Sequence, residues 1–299
     1  MQKQKNFSLL DGMLLLALST GLAFLLYRLV WGMNYHWRWQ AVLPYIYYIN
    51  PQTGEGRPSV LLEGLFTTIR LSIWAMIFAT LIGFSMGIMR TSSRLFFRLV
   101  GTTYITLIRN TPPLVLIFIF YYFISDQLFA LLPLDDFMRN LSPRSQRAIS
   151  LFFSKPETIT PFFSGILTLA LFQGAYIGEI VRAGIEAVDR GQWEASSALG
   201  LTKWTQLRSV ILPQAVRTML PTLANEFINT IKWSSIVSII SIQELTFQGM
   251  QVMASSQATL EVWLIITSMY LIICLFLSYI VHCIEKRIAD PDRMQGLAL

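Results

Sequence analysis

The chain has 299 residues, 54% of them hydrophobic and only 13% charged, with a mean hydropathy of +0.53. Soluble globular domains carry roughly 25% charged residues, so composition excludes an ordinary soluble protein and points to a membrane. The net charge of +6 does not indicate a nucleic-acid partner, because the basic residues gather at the ends of apolar runs, where they report topology.

Lys3 and Lys5 precede the first apolar run, Met13–Trp31. It exceeds the about 7–15 residues of a signal-peptide core, and no small-x-small cleavage pattern follows, so a retained first span is expected. Five more spans follow at Leu65–Met89, Thr111–Ile124 with a helical lead-in from Leu95, Phe162–Val181, Leu220–Ile242 and Leu260–His282. The expected fold is an all-α, polytopic membrane bundle of about six helices, with both termini on one side. If that side is the cytoplasm, the inner segments hold twelve cations: Lys3, Lys5, Arg90, Arg94, Arg98, Arg190, Lys203, Arg208, Arg217, Lys286, Arg287 and Arg293. The outer segments then hold six: Arg38, Arg57, Arg139, Arg144, Arg147 and Lys155. This asymmetry favours cytoplasmic termini. The stretch Ser125–Pro161 runs against the pattern, since four of the six outer cations fall in it.

Two spans carry G-x-x-x-G, at Gly83 and Gly87 and at Gly174 and Gly178, a spacing that lets helix backbones approach closely. It serves either packing within one bundle or a dimer seam. A charge inside a bilayer is costly and asks for a reason. Arg109 precedes Asn110-Thr111-Pro112-Pro113, where Asn110 or Thr111 could cap a helix with Pro112 at its first position. That would break the third span and expose backbone beside a pathway, as in many transporters; a simple entry turn is the alternative. Glu179 and Arg182, three apart, can meet on one helix face, as a structural pair or a substrate contact. The fifth span is the most polar: Glu226, Asn229 and Thr230 share a face by i, i+3, i+4 spacing, with Lys232 and Ser235 beyond. Such a helix should face a translocation path or a partner subunit. A zwitterion would need a cationic or amide donor and an acceptor, and this helix could offer both. Lys232, near mid-depth, is expected to pair with an acid, carbonyls or water.

Between spans four and five lies EASSALGLTKWTQLRSVILP, Glu194–Pro213, charged and amphipathic where its neighbours are apolar. Gly200 reads as a helix C-terminal residue, Thr202 as the N-cap of a short second helix, and Pro213 as its end. Trp204, Leu207, Val210 and Ile211 form one apolar face. Such a piece either lies on lipid or docks into a cytoplasmic groove. Cys274 and Cys283, nine residues and about 13 Å apart on one helix, cannot form a disulfide. His36 and His282 lack further metal ligands at a usable spacing.

The insert resembles the E-A-A-x-x-x-G loop of bacterial ABC importer permeases, with Glu194, Ala195 and Gly200 at the family's positions, Ser196 in place of the second Ala, and a closing I-L-P. LIRNTPPLVLIF (Leu107–Phe118), GAYIGEIVRAGIEAV (Gly174–Val188), GQWEASSALGL (Gly191–Leu201) and NEFINTIKWSS (Asn225–Ser235) are similar to the polar amino-acid permeases of the histidine/glutamine type. The resemblance implies a type I importer permease domain over residues 62–285. An extra helix and extracytoplasmic segment would occupy residues 1–61, and a cytoplasmic tail residues 286–299. It further implies residence in the bacterial inner membrane, an ATPase dimer binding ATP and Mg on separate chains, an extracytoplasmic amino-acid-binding protein, and a second permease subunit, identical or related. Coupling to the ATPase would then rest on Glu194, Ala195, Gly200, Leu201, Trp204, Leu207 and Pro213. The candidate substrate path comprises Arg109, Asn110, Thr111, Glu179, Arg182, Glu226, Asn229, Thr230, Lys232 and Ser235. No cofactor is expected on this chain: none of its six lysines follows a glycine, so the phosphate-binding G-x-x-x-x-G-K-[ST] is absent. A stand-alone secondary transporter or channel is the rival reading, and it would be favoured by inverted repeats, which the sequence does not display. An intramembrane enzyme lacks a G-x-S-x-G or H-E-x-x-H constellation.

Overall fold

The computed structural model describes residues 9–28, 35–132 and 134–288. By internal packing it divides into two units, Met1–Gln40 and Ala41–Leu299. In the first, α1 (Leu9–Tyr27) exposes Leu14, Leu18, Leu22 and Phe24 on all sides, as a helix bathed in lipid does. Lys3 and Lys5, which precede the first expected span, and Trp31, which ends it, lie outside the described residues.

Helix α2 (Trp39–Ile46) leads into an antiparallel hairpin, β1 (Tyr47–Ile49) and β2 (Gly56–Pro58), with Tyr48 opposite Arg57. Val42, Tyr45 and Ile46 pack with Leu61, Leu245 and Val252, so this segment belongs to the body of the second unit.

The axis of that unit is the pair α3 (Val60–Thr91) and α9 (Ile159–Glu186). Their two G-x-x-x-G motifs face each other. A Cβ on Gly83 would stand 2.9 Å from Gly174 O, and one on Gly87 2.7 Å from Gly178 O. Any side chain at either place would have to push against backbone. The motifs therefore serve a seam within one chain. Helix α9 is the innermost: 72% of its most apolar stretch is buried, against 11% for the last helix.

Helix α4 (Leu95–Arg109) turns back along α3, then breaks before α5 (Pro113–Ile119), which runs through a π-helical turn (Phe120–Ser125) into α6 (Asp126–Ala130). The two arms meet at 117°. Pro113 pushes the preceding residue out of the helical region, and Pro112 accordingly sits at φ −55°, ψ 132°. The expected break in the third span is present, but its caps differ. Neither Asn110 nor Thr111 caps α5, and Pro112 precedes it instead of opening it. Asn110 Nδ2 donates to Thr106 O (2.8 Å) and Thr111 Oγ1 to Leu107 O (2.7 Å), because the free carbonyls ending α4 are the nearer acceptors.

The segment after α6 folds as α7 (Leu134–Arg139), α8 (Pro143–Phe152) and a 3₁₀ turn (Pro156–Thr158). It is strapped to the bundle: Trp74 Nε1 donates to Phe152 O (3.0 Å), the Trp74 ring stacks on Phe153, and Lys155 pairs with Glu63 at 2.7 Å.

Beyond α9, α10 (Arg190–Ala198) and α11 (Lys203–Thr205) form an elbow. A second π-helical turn (Gln206–Ile211) then joins α12 (Leu212–Ser234), which ends in a 3₁₀ stretch (Ser235–Ile240). Helices α13 (Leu245–Ser256) and α14 (Thr259–Ile288) complete the described chain. Buried Glu244 locks three of these elements together. It accepts hydrogen bonds from Phe247 N, capping α13, and from Thr68 Oγ1 of α3 and Tyr270 OH of α14.

Each of the six expected spans thus corresponds to a helix or broken helix. Among the described residues, α3, α9 (with its preceding 3₁₀ turn) and α14 are long and apolar enough to cross a membrane by composition, and the bent pair adds a fourth. Helix α12 has the length, at 23 residues, but carries Glu226, Asn229 and Lys232.

Candidate translocation and coupling sites

The elbow is built as helix-terminal physics dictates. Asp189 caps α10 by accepting from Gly191 N at 2.7 Å. Gly200 then takes φ +72°, with Gly200 N bonded to Ser197 O and Leu201 N to Ser196 O, the paired bonds of a Schellman end. Thr202 caps α11 by accepting from Thr205 N at 3.3 Å. Pro213, expected to end this helix, instead sits in the first turn of α12. A proline there gives up no needed donor, and the wider π turn before it lets the chain continue helically. The apolar face also divides. Leu207, Val210 and Ile211 pack onto a core with Val181, Ile185 and Met219, whereas Trp204 is 61% exposed. Leu199, at the end of α10, is 79% exposed as well, and residue spacing did not single it out. Glu194 and Ala195 are exposed too. One side of the elbow holds the bundle, and the other offers Trp204 and Leu199 outward.

The charges within the bundle form two groups. In the first, Glu179 is the hub of three arginines: Arg182 (Nη2 2.5 Å, Nε 3.1 Å), Arg109 (3.4 Å) and Arg90. Glu186 also pairs with Arg182. The Glu179–Arg182 pair was legible from spacing. The Arg182–Glu186 contact is also local, at i, i+4 on α9, although it was not singled out; Arg90 was not legible, because its proximity depends on how α3 meets α9. A small pocket of about 230 Å³, lined by Arg90, Ile105, Thr106, Arg109 and Asn110, opens beside the hub.

The second group centres on Gln173, fully buried on α9. Its Nε2 donates to Glu226 Oε1 (3.1 Å) and Thr230 Oγ1 (2.8 Å), while Asn229 Nδ2 donates to Glu226 Oε2 (3.1 Å). The shared face of Glu226, Asn229 and Thr230 is therefore real and turned inward. Gln173 went unnoticed in the sequence, although it is a lone amide in an apolar run. Its Oε1 has no hydrogen-bond partner, which costs about 1–3 kcal/mol for a buried acceptor. Tyr176, one turn on from Gln173 on α9, stands beside the first group: the Arg109 guanidinium lies 6.0 Å from its ring centre.

Lys232, expected to pair with an acid, carbonyls or water, lies in the last turn of α12, next to Trp233, whose ring meets Phe172 at 5.4 Å. Yet it is exposed, and among the described residues it has no acidic partner. Its side of α12 faces out of the single chain, near Cys274 of α14. Ser235 Oγ only closes back on Lys232 O (2.7 Å).

A helical bundle with a sharply bent helix pair, charges gathered inside it and an amphipathic elbow outside it is the architecture of a transport permease. The profile described as binding-protein-dependent transport system inner membrane component matches residues 79–290. The chain is 33% identical over 228 residues to the glutamine transport system permease protein GlnP of Escherichia coli K12, covering 76% of this chain and 92% of that one. It is 34% identical over 230 residues to the L-cystine transport system permease protein TcyB of Bacillus subtilis 168, covering 77% and 86%. A chain of an amino acid ABC transporter crystallised with histidines superposes with a TM-score of 0.60 at 33% identity, covering 76% of this chain and 94% of that one. The methionine ABC transporter MetNI, at 16% identity and a TM-score of 0.54, shares the fold. The chain belongs to the family of inner-membrane components of binding-protein-dependent transport systems. It is a multi-pass permease subunit of the inner membrane.

Proposed function

We propose that this permease passes amino acids inward, driven by an ATPase dimer that binds ATP and Mg and docks on Leu199, Trp204 and the rest of the 194–213 elbow. In this reading both termini are cytoplasmic, residues 62–285 form the permease domain, and residues 286–299 form a cytoplasmic tail. An amino-acid-binding protein delivers substrate from the other side. A second permease subunit, identical or related, covers the side of α12 that leaves Lys232 bare, since an ammonium facing lipid alone would be costly.

The observation that carries the substrate class is that α9 gathers a cation and a carboxylate inside the bundle, Arg109 beside Tyr176 and Glu226 on Gln173. Arg109 can receive a carboxylate, and Glu226 an ammonium, with the unpaired Gln173 Oε1 as a further acceptor. The relatives named for glutamine and cystine agree with that chemistry. The test is to reconstitute the chain with its ATPase and binding protein and record which amino acids stimulate ATP hydrolysis. Glu226→Gln should lower uptake about tenfold, the effect of losing one charge-assisted hydrogen bond, while the complex still assembles. Stimulation by sugars or inorganic ions alone would refute the assignment.

The orientation has its own test. Ser197→Cys, on the exposed elbow, should react with a membrane-impermeant thiol reagent only once the cytoplasmic face is opened. Thr53→Cys, in the exposed hairpin turn, should react from outside. The reverse pattern would overturn both the orientation and the docking surface.

A further inference from the structure

A cavity of about 1000 Å³ opens at the N-terminal ends of α3 and α9, the helix ends opposite the elbow. Arg57, Arg70, Arg147 and Lys155 line it together with Glu63 and Glu157. These cations come from three separate parts of the chain, and two of them belong to the segment that defies the positive-inside pattern. Their positions divide the labour. Arg70 is part of the wall: its Nε donates to Phe66 O (3.2 Å), and its Nη1 to Ser150 O. Lys155 is taken up by Glu63. Arg57 stands over the Tyr48 ring, 5.3 Å from its centre. Arg147 and Glu157 are exposed and make no ion pair among the described residues. The floor is apolar: Phe162 and Ile242, each 1% exposed, pack with Leu71, Ile117 and Ile166. From Phe162 down to Gln173 is eleven residues of α9, about 16 Å, so the cavity and the inner polar cluster are separate places.

We propose that this cavity is an outer receiving site for a free amino acid, in which Arg147 and Arg57 take the α-carboxylate and Glu157 the α-ammonium above the closed apolar floor. Its volume is at the upper end for small-molecule sites. An acidic protein surface is the competing occupant. The cations would attract it, but Glu63 and Glu157 would repel it, whereas a zwitterion uses both signs. The proposal rests on the amino-acid reading above, and it adds a second site distinct from the Glu226 cluster.

The experiment uses the assembled transporter in nanodiscs without binding protein, titrated calorimetrically with L-glutamine. Glutaramate, which lacks the ammonium, and 4-aminobutanamide, which lacks the carboxylate, serve as comparisons. L-Glutamine should bind, and each analogue more weakly. Arg147→Gln should weaken L-glutamine and glutaramate about tenfold, as expected for one charge-assisted contact, and leave 4-aminobutanamide unchanged. Arg147→Lys, which keeps the charge, should retain most of the affinity. Run on Glu226→Gln as well, the titration separates the sites: the Arg147-dependent component should persist in that variant, any component lost there belonging to the inner cluster, and loss of the Arg147-dependent component with Glu226→Gln would overturn the second site. Unchanged L-glutamine binding in a folded Arg147→Gln complex would overturn the proposal. So would a separate titration of the same nanodiscs with the binding protein in which Arg147→Gln weakens that protein alone, which would assign the cavity to an acidic docking surface.

Discussion

Gly200→Val should cut ATP-driven uptake by roughly 10- to 100-fold, the loss that about 1–3 kcal/mol of backbone strain produces, while the chain still inserts in the membrane. The cost lies wholly in the backbone. Gly200 sits at φ +72°, and a Cβ there would meet nothing within 4 Å. A β-branched residue resists that left-handed conformation. Abandoning it would break the bonds from Gly200 N to Ser197 O and from Leu201 N to Ser196 O, and so change the angle between α10 and α11. Leu199 and Trp204, the two large exposed apolar side chains flanking the bend, would no longer be presented together. Gly200→Asn, which tolerates positive φ, should retain most of the uptake. The measurement is uptake beside co-purification of the ATPase. Wild-type uptake by the valine variant at normal expression would sink the docking assignment.

Glu179→Gln should lower the recovery of folded protein severalfold and depress its melting temperature in detergent. The wild-type network sets three arginines against Glu179 and Glu186. The glutamine keeps the shape and removes one of the two negative charges. Breaking a buried pair costs about 3–5 kcal/mol; here roughly 3 is expected, because Glu179 keeps 21% of its side chain exposed and Arg109 keeps 42%. Arg109→Gln, which removes the longest of the contacts at 3.4 Å, should cost far less stability. Adding Arg90→Gln to Glu179→Gln should restore part of the loss by removing a stranded cation, since Arg182 keeps Glu186. Equal destabilisation by Glu179→Gln and Arg109→Gln would show that Glu179 is not the hub.

Much of the architecture was readable because a bilayer imposes strong rules. Twenty-residue apolar runs must become helices to satisfy their backbone, and consecutive prolines after Arg109 must interrupt one. The elbow was readable for a local reason: a glycine at a helix end and a threonine two residues later specify caps without reference to anything distant. Pro213 was misread because a proline looks alike at a helix end and in a first helical turn. Only the π turn before it distinguishes the two.

The sequence by itself determined that the chain is a polytopic membrane protein, where its third span breaks, and which loop bends outward as an amphipathic elbow. Each follows from composition or from neighbours within a few residues. The tertiary structure decided what is brought together over long separations. It joined Gly83 and Gly87 to Gly174 and Gly178 as one seam, and it added Arg90 to the Glu179 network. It placed buried Gln173 against Glu226 and Thr230, gathered Arg57, Arg70, Arg147 and Lys155 around one cavity, and turned Lys232 out of the bundle. Helical periodicity gives the face a residue occupies, but not which helix that face will meet. That choice is made by packing, where backbone can approach only at glycines and a buried charge must find its opposite.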